Sequence, residues 1–97
     1  MSSPERADVV AEIVLSVPGV AGLHPGMFGE VGTYLPGRRV AGIRFNDDTI
    51  AVHIAIRDGA DARETAAAVR AAVSKGWPGV AVDVTVEDVI GDGVGDD

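Results

Sequence analysis

His24 and His53 are the two imidazoles of this chain, which has no cysteine, so metal ligation or catalysis by a ring nitrogen would fall to them. Zinc sites draw on Cys and His at short spacing. Here neither histidine has a second His or a Cys at ligand spacing, and a metal would need carboxylates brought in by the fold. The expectation is no metal and no cofactor. Ser16 or Ser74 could formally complete a Ser-His-Asp set. Neither serine sits in a strained turn or beside the glycine-rich oxyanion loop that acyl transfer requires. One catalytic arrangement stays open, His53 working with Asp83 or Glu87. Closely spaced glycines occur in Gly26-Met27-Phe28-Gly29 and Gly29-Glu30-Val31-Gly32, but no Gly-Lys-Ser/Thr and no following helix would receive a phosphate. The Gly-x-x-Gly of KH RNA-binding modules joins two helices above a basic surface, whereas this one lies in a loop-rich stretch of an acidic chain. Asp92-Gly93 and Asp96-Asp97 miss the spacing of a calcium loop.

The remaining candidate is Tyr34-Leu35-Pro36-Gly37-Arg38-Arg39. A turn at Pro36-Gly37, of type II because glycine accepts positive φ, would put Tyr34 and Leu35 on one arm and two guanidinium groups on the other. Tyr and Arg are common anchors of protein interfaces. Arg38, Arg39 and Arg44 also form a local cationic cluster in a chain of formal net charge −7. That balance repels nucleic-acid phosphates and anionic lipid over most of the surface. A nucleic-acid-binding, KH-like module therefore stands as the alternative reading, and it needs Arg38, Arg39, Arg44 and Arg57 gathered on one face.

The elements that must position these residues are legible from punctuation and period. Pro-Gly-Val-Ala occurs twice, at 18–21 and at 78–81, each time after a helix-like stretch and before an apolar run. Ser3-Pro4 reads as a helix start. Val9, Val10, Ile13, Val14 and Val17 then recur at helical spacing to the stop at Pro18-Gly19, giving a helix over about 4–16. Five glycines and two prolines between 22 and 37 mark a loop-rich insert, with short extended pieces at 20–21 and 31–35. Residues 40–45 and 49–57 read as a hairpin turning at Asn46-Asp47-Asp48. A register with Phe45 opposite Ile50, Ile43 opposite Val52 and Ala41 opposite Ile54 collects the large apolar residues on one face. A slip by one would turn the whole strand over.

Asp61-Ala62-Arg63-Glu64 has capping-box spacing and starts a second helix, with Ala62, Ala66, Val69 and Val73 as its buried stripe. Val80, Val82, Val84 and Val86 then alternate with Ala81, Asp83, Thr85 and Glu87 as a half-buried strand. The result is one domain over 1–90, followed by a disordered acidic tail over 91–97. With 46% hydrophobic but 4% aromatic residues, its core must be built from Val, Ile and Ala.

Because the strands alternate, the expected fold is an α+β two-layer sandwich. The order is helix, loop with short strands, two strands, helix and strand, with both helices on one face of a small, mainly antiparallel sheet. The other face is left open and shows Arg44 beside Ala51, His53 and Ala55. Those residues, with Tyr34, Leu35, Arg38 and Arg39, are the expected interaction surface. No apolar run approaches the length of a membrane span, and no basic leader precedes the first helix. Any membrane association would need a partner.

Taken together, Val17-Pro18-Gly19-Val20-Ala21-Gly22-Leu23, then Gly32-Thr33-Tyr34-Leu35-Pro36-Gly37-Arg38-Arg39-Val40-Ala41-Gly42-Ile43-Arg44, and finally Val82-Asp83-Val84-Thr85-Val86-Glu87-Asp88-Val89 resemble the bacterial alkaline-shock protein family, also called the Gls-type envelope-stress family. The likeness spans nearly the whole domain and rests on the order of its parts. It implies a non-enzymatic cytoplasmic protein that self-associates or docks on a small membrane-anchor protein, with no catalytic residues, cofactor or small-molecule substrate.

Overall fold

A computed structural model describes residues 5–91. The Ser3-Pro4 helix start and the acidic tail beyond Gly91 lie outside the described residues. The elements are α1 (Arg6–Leu15), β1 (Val20–Leu23), β2 (Gly32–Leu35), β3 (Arg38–Ala41), β4 (Ile43–Phe45), β5 (Thr49–Arg57), α2 (Ala62–Gly76) and β6 (Ala81–Ile90). The fold is the small α+β arrangement expected, with two helices and a mainly antiparallel sheet.

β5 is the axis of the sheet. One of its edges is shared by two short antiparallel strands, β4 along Ile50 to Val52 and β1 along Ile54 to Ile56, and the other is covered by β6. β6 runs parallel to β5, because α2 carries the chain back across the sheet, as a β-α-β crossover does. The two Pro-Gly-Val-Ala turns thus deliver one strand to each side of β5. Gly19 and Gly79 both take positive φ, 95° and 86°, which side chains with a Cβ adopt only at a cost.

Ile50, Val52, Ile54 and Ile56 point to one face of β5 and meet Val10 and Val14 of α1 and Val69 and Val73 of α2 in a single core. Several sequence expectations shift in detail. α1 begins after Glu5, whose side chain makes no cap, and its buried residues are Ala7, Val10 and Val14, with Val17 just beyond it. In α2, Asp61 does cap, its Oδ1 accepting from Glu64 N at 2.9 Å. The buried stripe is Thr65, Val69 and Val73, and Ala62 is exposed. Thr65 is drawn in because Gly19 abuts it: a Cβ on Gly19 would lie 2.8 Å from Thr65 Oγ1.

The largest correction concerns the strand expected over 40–45. Phe45 does face Ile50 and Ile43 does face Val52, but Ala41 does not reach Ile54. Gly42 takes φ 81° and breaks the strand in two. β4 stays with β5, while β3 peels off to pair with β2 in a separate two-stranded ribbon, where Ala41 faces Gly32. Leu23 of β1 takes the vacated place opposite Ile54.

Candidate functional site

Between β1 and β2 the chain makes a loop, residues 25–31, that is tied down at almost every step. His24 N donates to His53 O at 2.9 Å at the loop's entry, and Val31 N donates to Pro25 O at 2.8 Å across its neck. Gly26 N donates to His24 Nδ1 at 3.0 Å. Gly29 N donates to Gly26 O at 3.2 Å, closing a turn with Met27 and Phe28 at its corner. Gly26 and Gly29 supply the positive φ angles, 89° and 72°. Glu30 Oε1 accepts from Phe28 N at 3.0 Å. The backbone N–H of Glu30 itself, then that of Phe28, holds the Glu30 carboxyl below its ordinary pKa.

Two arginines brace the loop from behind. Arg39 Nη2 donates to Gly29 O at 2.5 Å and to Val31 O at 3.0 Å, and Arg44 Nη2 donates to Glu30 O. Three consecutive carbonyls are thereby satisfied by two guanidinium groups. Gly32 leaves the room for this, since a Cβ there would come within 2.4 Å of Arg39 Nε.

The consequence is at the tip. Met27 and Phe28 are 84% and 89% exposed, held out to solvent on a loop whose backbone bonds are largely made. Exposed single apolar residues are ordinary, but an adjacent Met and Phe on a braced turn is an arrangement that binding uses: the ordering entropy of the loop is already spent before a partner arrives. Sequence reasoning passed over both residues, having weighed the flanking glycines as a phosphate loop. The available signal was a pair of large apolar residues set between two glycines, in a stretch that Gly and Pro break too often to carry a helix or a strand that would bury them.

The residues expected to act are placed as follows. The Pro36-Gly37 turn is present, with Gly37 at φ 76°, and joins the cross-strand pairs Leu35–Arg38 and Tyr34–Arg39. Tyr34 is exposed, with Arg39 Cζ 5.3 Å from its ring centroid, whereas Leu35 packs against the core. Arg38 turns to α1 and forms a two-pronged pair with Asp8 at 2.8 and 2.5 Å. With Arg38 on Asp8, Arg39 and Arg44 on loop carbonyls, and Arg57 beside Ile90 of β6, the four guanidinium groups do not make one surface.

On the open face Ala51 is half-buried opposite Asp83, and His53 lies opposite Thr85. Ala55 departs from expectation: it is 1% exposed and offers nothing to a partner. It sits between Gly22 and Asp88, where the ladders on both sides slip register. Such bulges add local twist, and with one on either side the short methyl group is closed off.

The Asp8–Arg38 pair makes a pH prediction. The hydrogen bond to Arg38, reinforced by its charge, lowers the Asp8 pKa from 3.8. A carboxyl depressed in the folded state contributes stability that is complete above the unfolded value and is lost as pH falls through the folded one. Asp8→Asn should therefore narrow its stability gap from wild type as pH drops below about 4, in urea titrations run from neutral to acid pH. Because the pair is exposed, the gap itself should be small.

His53 Nδ1 lies 2.6 Å from Glu87 Oε2, both side chains being about one-fifth exposed, so one half of the His53–Asp83/Glu87 arrangement is formed. The bulge brings Glu87 there: the ladder passes from Ile54–Val86 directly to Ala55–Asp88. Among the described residues no set of three His, Asp or Glu is gathered to hold a metal. Nor is any helix there long and apolar enough to cross a membrane. Fold and site together define a small α+β domain that presents a braced apolar loop. No family model, curated protein or solved structure matches the chain.

Proposed function

We propose that this is a non-catalytic interaction protein, a scaffold of the envelope-stress type, that associates with copies of itself or docks on a membrane-anchored partner in the cytoplasm. The observation that carries the interaction reading is the loop of residues 25–31, on which Met27 and Phe28 are held in solvent by a network of backbone and arginine bonds. Met and aromatic residues are enriched at the cores of protein interfaces, and the thioether and ring fill apolar pockets without needing polar partners. The envelope-stress setting and the anchor partner rest on the family resemblance alone.

Light scattering on the full chain over a concentration series tests the reading, together with recovery of the tagged chain from cells under stress. It expects mass to rise with concentration, or a small membrane protein to be recovered in stoichiometric amount. A monomer at every concentration with no such protein recovered would contradict it.

A further inference from the structure

We propose that copies of this chain join head to tail, the Met27–Phe28 tip of one seating against the C-terminal half of β6 of the next. This rests on the self-association reading above and names the two surfaces that would carry it.

Three observations support the pairing. First, the segment from Gly22 to Phe45 holds Arg38, Arg39 and Arg44 against Glu30, a balance of 3 − 1 = +2 within a chain of −7. Arg38 is paired with Asp8, but Arg39 and Arg44 bind neutral carbonyls and keep their charge at the base of the tip, where they outnumber the one carboxylate, Glu30, which accepts from Phe28 N. Second, β6 carries Asp83, Glu87 and Asp88 with no Lys or Arg of its own. The cations beside it are Arg57, opposite Ile90, and Arg70, whose Nε donates to Val82 O at 3.2 Å. His53 faces Glu87. Third, each surface shows large apolar side chains: Met27 and Phe28 together at the tip on one, and on the other Val89 and Ile90, which alternate to the two sides of the exposed end of β6, at 54% and 45% exposure. Complementary charge around apolar side chains is what orients and holds a docking patch.

Topology makes the contact intermolecular. The loop is strung between β1 and β2 and braced from β4, on the edge of β5 away from β6. β6 has no strand on its outer side among the described residues, a position open to association. Pairing β6 with a second β6 would set like charges against each other, which is unfavourable. A contact between two different surfaces does not close on itself by a two-fold axis and leads to rings or chains.

The test uses two double variants of the full chain, Met27→Ser with Phe28→Ser, and Val89→Ser with Ile90→Ser. All four side chains are exposed, and matching circular dichroism and urea midpoints would show that both variants fold. Each alone should remain monomeric, with an association constant down about thirtyfold or more, as loss of hot-spot contacts gives. An equimolar mixture should form a dimer and stop there, because each variant keeps one working surface. Salt should weaken the dimer, and Phe28→Leu should retain most of the association. A wild type that stays monomeric overturns both this inference and the self-association it rests on. A wild type that associates unchanged by either variant, or variants that fail to complement on mixing, overturns the head-to-tail contact and leaves self-association standing.

Discussion

Gly42→Ala is expected to cost about 2–4 kcal/mol, one of the largest losses any single methyl group can cause in this domain. Gly42 has φ 81°, a region that costs an L-residue on the order of 1–2 kcal/mol. The added Cβ would also lie 2.8 Å from His53 O and 3.0 Å from His24 N. Both are backbone atoms, so neither can swing aside. The same residue is the joint of the sheet: its N–H donates to Val31 O and its carbonyl accepts from His53 N. Relieving the clash would therefore disturb β4, β5 and the neck of the loop together. The urea midpoint should fall with an unchanged m-value. Gly22→Ala is the control, since nothing lies within 4 Å of a Cβ there, and it should be nearly neutral. A Gly42→Ala midpoint within experimental error of wild type would mean that the break between β3 and β4 is wrongly placed.

Ile54→Ala should cost about 2–5 kcal/mol, the range for truncating a fully buried aliphatic side chain. Ile54 is wholly buried, between Leu23 of β1 and Val86 of β6, beneath the helices. With four aromatic residues in every hundred and a core made of Val and Ile, no larger neighbour stands ready to fill the space. Ile54→Val, which removes one methyl group, should cost about 0.5–1.5 kcal/mol. For a domain whose total stability is on the order of 5–15 kcal/mol, the alanine variant should lie near the edge of folding. A loss under about 1 kcal/mol would contradict the placement of both helices on this face of the sheet.

What the sequence disclosed depended on how local the signal was. Alternation in β5 and β6, the Asp61 cap and the doubled Pro-Gly-Val-Ala turn are each written within a few residues, and all three appear in the fold. Phe45–Ile50 and Ile43–Val52 followed from keeping apolar residues on one face. Ala41–Ile54 failed because a glycine inside an apparent strand can mark a break as readily as a weak spot. What decided between them was the approach of β1, distant in the chain. Parallel pairing of β6 follows from the crossover made by α2, and alternation alone does not distinguish it from antiparallel pairing. The site was harder to read. Arg39 and Arg44 were noticed for their charge, but their work of satisfying the carbonyls of residues 29–31 depends on the path of a loop with no periodicity. Ala55 looked exposed from its place in the alternation. Bulges on both sides removed it from the surface, and no pattern in β5 itself announces them.

Association of copies of the chain through the apolar loop is tested most directly by the concentration dependence of backbone amide chemical shifts, measured by NMR on the full chain. On going from dilute to concentrated solution, shifts should move at Gly26 to Gly29 and at Val86 to Ile90, and stay still in α1 and at Tyr34. Shifts that do not move at any concentration, or that move elsewhere while the loop stays fixed, would contradict association through the loop.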